Sequence, residues 1–120
     1  MSNASMPAMY VYLDVNRTIA MMGDEAAVPS ILQMAQQTLT DEIRQLHLLV
    51  DSGDTIAAGR VLHTIKGSLP IFCGDVLVEQ VAQLEKSSKQ GPAPELIPAF
   101  TAISVELKKL TDEIVNYLSK

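Results

Sequence analysis

His63, Lys66 and Gly67 stand in the run His63-Thr64-Ile65-Lys66-Gly67-Ser68, a spacing that suits one particular chemistry. Imidazole is one of the few side chains that accepts a phosphoryl group reversibly near neutral pH, and an ammonium one helical turn away can hold that group's oxygens. The spacing works only if the surrounding run is a helix. At about 100° per residue, Gly59, Arg60, His63, Lys66, Gly67 and Pro70 then fall within roughly 60° of the His63 direction, with Val61, Ile65 and Phe72 on the opposite side. His63 is therefore expected to face solvent. Gly59 and Gly67 lie one turn before and one turn after it, and each costs about 1 kcal/mol relative to alanine in a helix interior. That cost is read as the condition for leaving the imidazole over bare backbone, open to a large partner. The short string alone is weak evidence, because most histidines are ordinary surface or core side chains.

Four long helices and one short one are predicted to position this run. Asp14 caps a short first helix to about Met22, which Gly23-Asp24 breaks. Val28, Ile31, Leu32, Ala35, Leu39, Ile43, Leu46 and Val50 then recur at three- and four-residue steps, the signature of an amphipathic helix, with Pro29 leaving its start open. Ser52-Gly53-Asp54 is a connector, Gly53 ending one helix and Asp54 capping the His63 helix. The latter is expected to end near Cys73-Gly74, bent by Pro70. A fourth helix from Asp75 to about Lys89 turns Leu77, Val81 and Leu84 inward. Gly91-Pro92-Ala93-Pro94 is a loop. The last helix begins between Pro94 and Pro98 and repeats Leu96, Phe100, Ile103, Leu107, Leu110, Ile114 and Leu118. Nothing reads as a strand. The fold predicted is all-α, an antiparallel up-down four-helix bundle with a short extra N-terminal helix. It spans residues 8–120, and residues 1–7 are read as a disordered leader or the remnant of an expression vector.

At 120 residues and 48% hydrophobic content, the chain is one domain with one core. A net charge of −5 argues against nucleic acid as partner, and Arg60 and Lys66 form a local positive spot on an acidic surface. Cys73 is the only cysteine, so no internal disulfide can form, which suits a reducing compartment; it is read as an inert, partly buried thiol. The apolar runs are too short to span a bilayer, and no signal-peptide pattern appears. A cytoplasmic protein without direct membrane contact is expected. His63 and His47 fall on different helices with no cysteine or histidine cluster at ligand spacing, so no metal site is expected.

The His-x-hydrophobic-Lys-Gly-Ser pattern at His63 to Ser68 resembles that of the histidine phosphotransfer (HPt) domains of bacterial multistep phosphorelays. The resemblance extends from Asp14 to the end of the chain, with Gly53-Asp54, His63, Lys66, Gly67, Ser68, Leu77, Leu84 and Glu85 in register without a gap. It implies a phosphocarrier rather than an enzyme: His63 accepts a phosphoryl group from a receiver-domain aspartate and passes it to another receiver. Lys66, with Arg60, would stabilise the phosphoryl group, and Glu85 would orient the imidazole through its other nitrogen, the alternative for Glu85 being an ordinary solvated glutamate. Ile56, Gly59, Gly67 and Pro70 would form the receiver-docking surface. No cofactor is implied on this chain, and the Mg²⁺ is expected on the receiver.

Two departures from the family lie near the end of the third helix. Pro70 replaces a small residue, and glycine comes at Gly74 instead of at the Cys73 position. The last helix also fits a coiled-coil template, so a dimeric histidine-kinase bundle is an alternative. Thr64 stands where such kinases have an acidic residue after the histidine, and no nucleotide-binding pattern is present, so a monomeric carrier is the reading preferred. A non-catalytic helical adaptor descended from such a carrier is the other alternative. A free-standing carrier and a domain of a hybrid sensor kinase, itself membrane-bound, both remain open.

Overall fold

The computed structural model describes residues 10–120, and the leader expected over 1–7 lies outside the described residues. Asp14 caps α1 (Val15–Met22) by accepting from the Arg17 N–H, and Gly23 ends it. Asp24 caps a single 3-10 turn over Glu25–Ala27, and α2 (Val28–Asp51) follows with Pro29 in its first turn, where no intrahelical donor is needed. Gly53, at φ 77°, reverses the chain, and Asp54 caps α3 (Thr55–Ser68) through the Ala57 N–H. α4 covers Asp75–Ser88 and α5 Ile97–Leu118.

α2 packs on α5 and α3, α3 on α4, and α4 on α5, which closes a four-helix bundle. Helices that follow one another in the chain also pack together across short connectors. The core is formed by the residues whose periodicity announced it, among them Leu32, Leu39, Leu46, Leu77, Val81, Phe100, Leu107, Leu110 and Ile114, all buried. Each fully buried side chain of this kind contributes about 1.5–3 kcal/mol. No helix among the described residues is long and apolar enough to cross a membrane.

The α3 helix stops at Ser68, five residues short of Cys73. Pro70 has no N–H to give to the carbonyl four residues back, so the chain tightens into a 3-10 turn over Leu69–Ile71 instead of continuing as a bent α-helix. That turn is held from outside. The Asp14 N–H donates to Phe72 O and the Gly74 N–H to Tyr12 O, each at 2.9 Å, and the Thr18 hydroxyl donates to Ile71 O at 2.9 Å. The Glu113 carboxylate in turn accepts from the backbone N–H groups of Val11, Tyr12 and Leu13. Cys73 is fully buried rather than partly so, and burial pushes its thiol up to about 12, which makes it inert.

Gly59 corrects a second expectation. It does not clear an outer surface; it is buried against α4, where an added Cβ would lie 2.1 Å from Ser88 Oγ and 2.9 Å from Ser88 Cβ. The hydroxyl can turn away, but Ser88 Cβ moves only with α4. Gly59→Ala is therefore expected to lower the melting temperature, because overpacking costs about 1–3 kcal/mol against about 1 kcal/mol gained in helix propensity. Thermal denaturation checks this. A rise in melting temperature would show that α3 and α4 separate at no cost.

Candidate functional site

The close approach at Gly59 and Ser88 brings α3 and α4 together below a cleft of about 520 Å³. Ile56, Gly59, Arg60, His63 and Thr64 line it from α3, Glu85 and Ser88 from α4, and Lys89 and Gly91 from the segment after α4. The Ala93 N–H donates to the buried Thr55 hydroxyl at 3.0 Å, which ties the segment after α4 to the start of α3. Ser88, also buried, donates to the Glu85 carbonyl at 2.7 Å.

His63 stands in this cleft with 66% of its side chain exposed. Its Nδ1 faces Glu85 Oε2 at 3.5 Å, beyond hydrogen-bond length but within ionic contact. Nε2, on the other edge of the ring, is the nitrogen left for chemistry. Glu85 itself is only 3% exposed and is gripped twice, by Lys66 Nζ on Oε1 at 2.7 Å and by Lys89 Nζ on Oε2 at 3.0 Å. Those two ammonium groups, Lys66 first, hold the Glu85 carboxyl down at about 2 in spite of its burial. A carboxylate that is ionised at neutral pH thus faces Nδ1. It favours the tautomer that carries its proton there and keeps a lone pair on Nε2.

The electrostatics favour an incoming dianion. Two cations, Lys66 and Lys89, grip the one carboxylate and Arg60 lines the same cleft, so the cleft is positive on an otherwise acidic molecule. Lys66 and Lys89 are 34% and 63% exposed, on long stems that can turn from Glu85 toward a group on Nε2.

Of the residues singled out from the sequence, His63, Arg60, Glu85, Ile56 and Gly59 line the cleft, and Lys66 reaches it through Glu85. Glu85 is not an ordinary solvated glutamate. Gly67 lies outside the cleft, exposed, with open space around the position of a Cβ. Pro70 sits half-buried in the 3-10 turn, off the α3 helix whose face it was expected to share. Lys89 was missed, although its spacing of four from Glu85 places the two on one helical face. Ser88 was missed as well, and no local signal marks it, because its importance comes from Gly59 on another helix.

A model of the Hpt domain family matches residues 30–117, which take in all of α3 and α4 and nearly all of α2 and α5. Searches of curated proteins and of solved structures give no match.

Proposed function

This chain belongs to the Hpt domain family, whose members are phosphocarriers rather than enzymes and work with receiver domains in phosphorelays, and on that premise we propose that His63 takes a phosphoryl group from a receiver aspartate and passes it to a second receiver. The observation that supports this reading is that the ionised, buried Glu85 carboxylate faces His63 Nδ1, which leaves Nε2, on the other edge of the exposed ring, for the transfer.

In the transfer, the Nε2 lone pair attacks phosphorus in line as the bond from phosphorus to the aspartyl oxygen breaks, and the aspartate leaves as a carboxylate. The ring gains positive charge and keeps its proton on Nδ1, where Glu85 offsets that charge at close range. Phosphoryl transfer asks mainly for positioning and charge neutralisation, and little covalent help. Lys66, Lys89 and Arg60 supply the neutralisation on this side, and the receiver brings the Mg²⁺. Passage to the next receiver is the same step in reverse. All the cleft's lining residues come from one chain, which supports the reading of a carrier that acts as a monomer.

Lys66→Ala and Lys89→Ala test the role of the cations. An exposed ion pair is worth about 1 kcal/mol or less, so each change is expected to lower the yield or lifetime of phospho-His63 by about fivefold or less, and the double variant by more. The lifetime of the acid-labile phosphate, followed on one preparation with a melting curve, reads both effects. Lifetimes and yields equal to the parent's in the double variant would show that the lysines serve only Glu85.

A further inference from the structure

A second groove, of about 300 Å³, shares no lining residue with the His63 cleft. Met22 at the end of α1, Ile31 and Met34 on α2, and Ile71 and Phe72 after α3 give it apolar walls. Met22 and Met34 are 41% and 70% exposed, so the walls are open to solvent. Glu42 also lines it. This side chain is only 8% exposed, and its buried Oε1 has no hydrogen-bond partner among the described residues.

Buried polar groups are hydrogen-bonded in nearly all proteins, and an unpartnered carboxylate forfeits its hydration for nothing. Position 42 lies between the core residues Leu39, Ile43 and Leu46, where an apolar side chain would avoid that cost. Burial accordingly pushes the Glu42 carboxyl above its usual range. The rest of the groove is what a ligand site looks like: mostly apolar, adaptable through methionine, with a single polar group to fix orientation.

We propose that this groove binds a small amphiphilic cation, an apolar body ending in a primary ammonium, with Glu42 as its counter-ion. The apolar body covers Met22, Met34 and Phe72, and the ammonium pairs with the Glu42 carboxylate, which turns about its side-chain torsions to present the unpartnered Oε1 to the groove. The charge complementarity is specific, because a neutral ligand would offer Glu42 at most an uncharged donor and an anion would be repelled. The acidic net charge of −5 adds a general attraction for cations. The proposal does not depend on the reading of His63.

The test uses the full chain with labelled methionine methyl groups, titrated with phenethylamine, with 2-phenylethanol as the neutral match and with ethylamine as a cation lacking the apolar body. Saturable shifts of the Met22 and Met34 signals are expected with phenethylamine. Binding should be about tenfold weaker or more with the alcohol and in Glu42→Gln, as the loss of a charge-assisted hydrogen bond implies. Ethylamine should give no saturation. Met34→Ser, on an exposed side chain that the fold does not need, should weaken phenethylamine binding and so keeps the test open should Glu42→Gln fold poorly. Absence of saturable shifts, equal binding of alcohol and amine, or undiminished binding in a folded Glu42→Gln protein would overturn the proposal.

Discussion

His63→Gln is expected to abolish acid-labile phosphorylation, from a phosphorylated receiver and from a small phosphodonor alike, while the helical content and melting curve stay as in the parent. The two halves have separate causes. The imidazole is two-thirds exposed and its polar contact is with Glu85, at 3.5 Å, which a glutamine amide can face as a donor. Exposed substitutions of this kind change stability by about 0.5 kcal/mol or less. The chemistry, by contrast, has no second acceptor in the cleft. His47, the other histidine, lies exposed on α2 beside Arg44 and Lys108, in a different hollow with no buried carboxylate behind it. Phosphorylation of the variant at His47, or anywhere else, would show that the cleft is not the acceptor site.

The second large effect is expected at Gly67, where stability and transfer should move in opposite directions. A Cβ here meets nothing within 4 Å, so Gly67→Gln keeps the fold and gains up to about 1 kcal/mol in helix propensity. The same side chain would project from the outer face of α3, one turn from His63. A docking receiver must then displace it, and losing about 1.4 kcal/mol or more of docking slows transfer about tenfold or more. Phosphorylation by a small phosphodonor, which needs no docking face, should change far less. Measured on one preparation, both rates and the melting curve separate the cases. Undiminished transfer from the receiver would refute a docking role, and a collapsed fold would refute the open space seen around Gly67.

The contrast between Gly59 and Gly67 shows where sequence reading reaches its limit. Both glycines lie one turn from His63, and helical spacing places them alike. What separates them is Ser88, twenty-nine positions away from Gly59 in the chain, pressed against one and absent from the other. Contacts between helices carry no local signature. Capping and core periodicity were legible because each is written within one turn or one helix: Asp14 and Asp54 cap, Gly53 reverses the chain, and the apolar positions of α2, α4 and α5 fill the core. The end of α3 was misplaced because Pro70 was weighed as a bend, whereas its missing N–H ends the α-helix in a 3-10 turn that the Tyr12 to Asp14 segment then holds. The buried carboxylate of Glu42 was hidden for a similar reason, as the α2 periodicity accounts for its neighbours and is silent about the groove walls from α1 and Phe72. In the cleft, His63, Lys66 and Glu85, singled out from the sequence, lie together, and the second cation on Glu85, Lys89, was legible as a spacing of four but gains its meaning only from the burial of Glu85 against α3.

The central claim is that Glu85 holds His63 so that Nε2, and not Nδ1, accepts the phosphoryl group. Incubating the protein, with ¹⁵N in its histidine rings, with a panel of phosphorylated receivers and recording phosphorus-coupled nitrogen spectra reads the site and the atom together. The expected result is one phosphohistidine, at His63, with phosphorus bonded to Nε2 and the proton retained on Nδ1. A phosphoryl group on Nδ1, a phosphorylated His47, or no phosphohistidine from any receiver in the panel would contradict it.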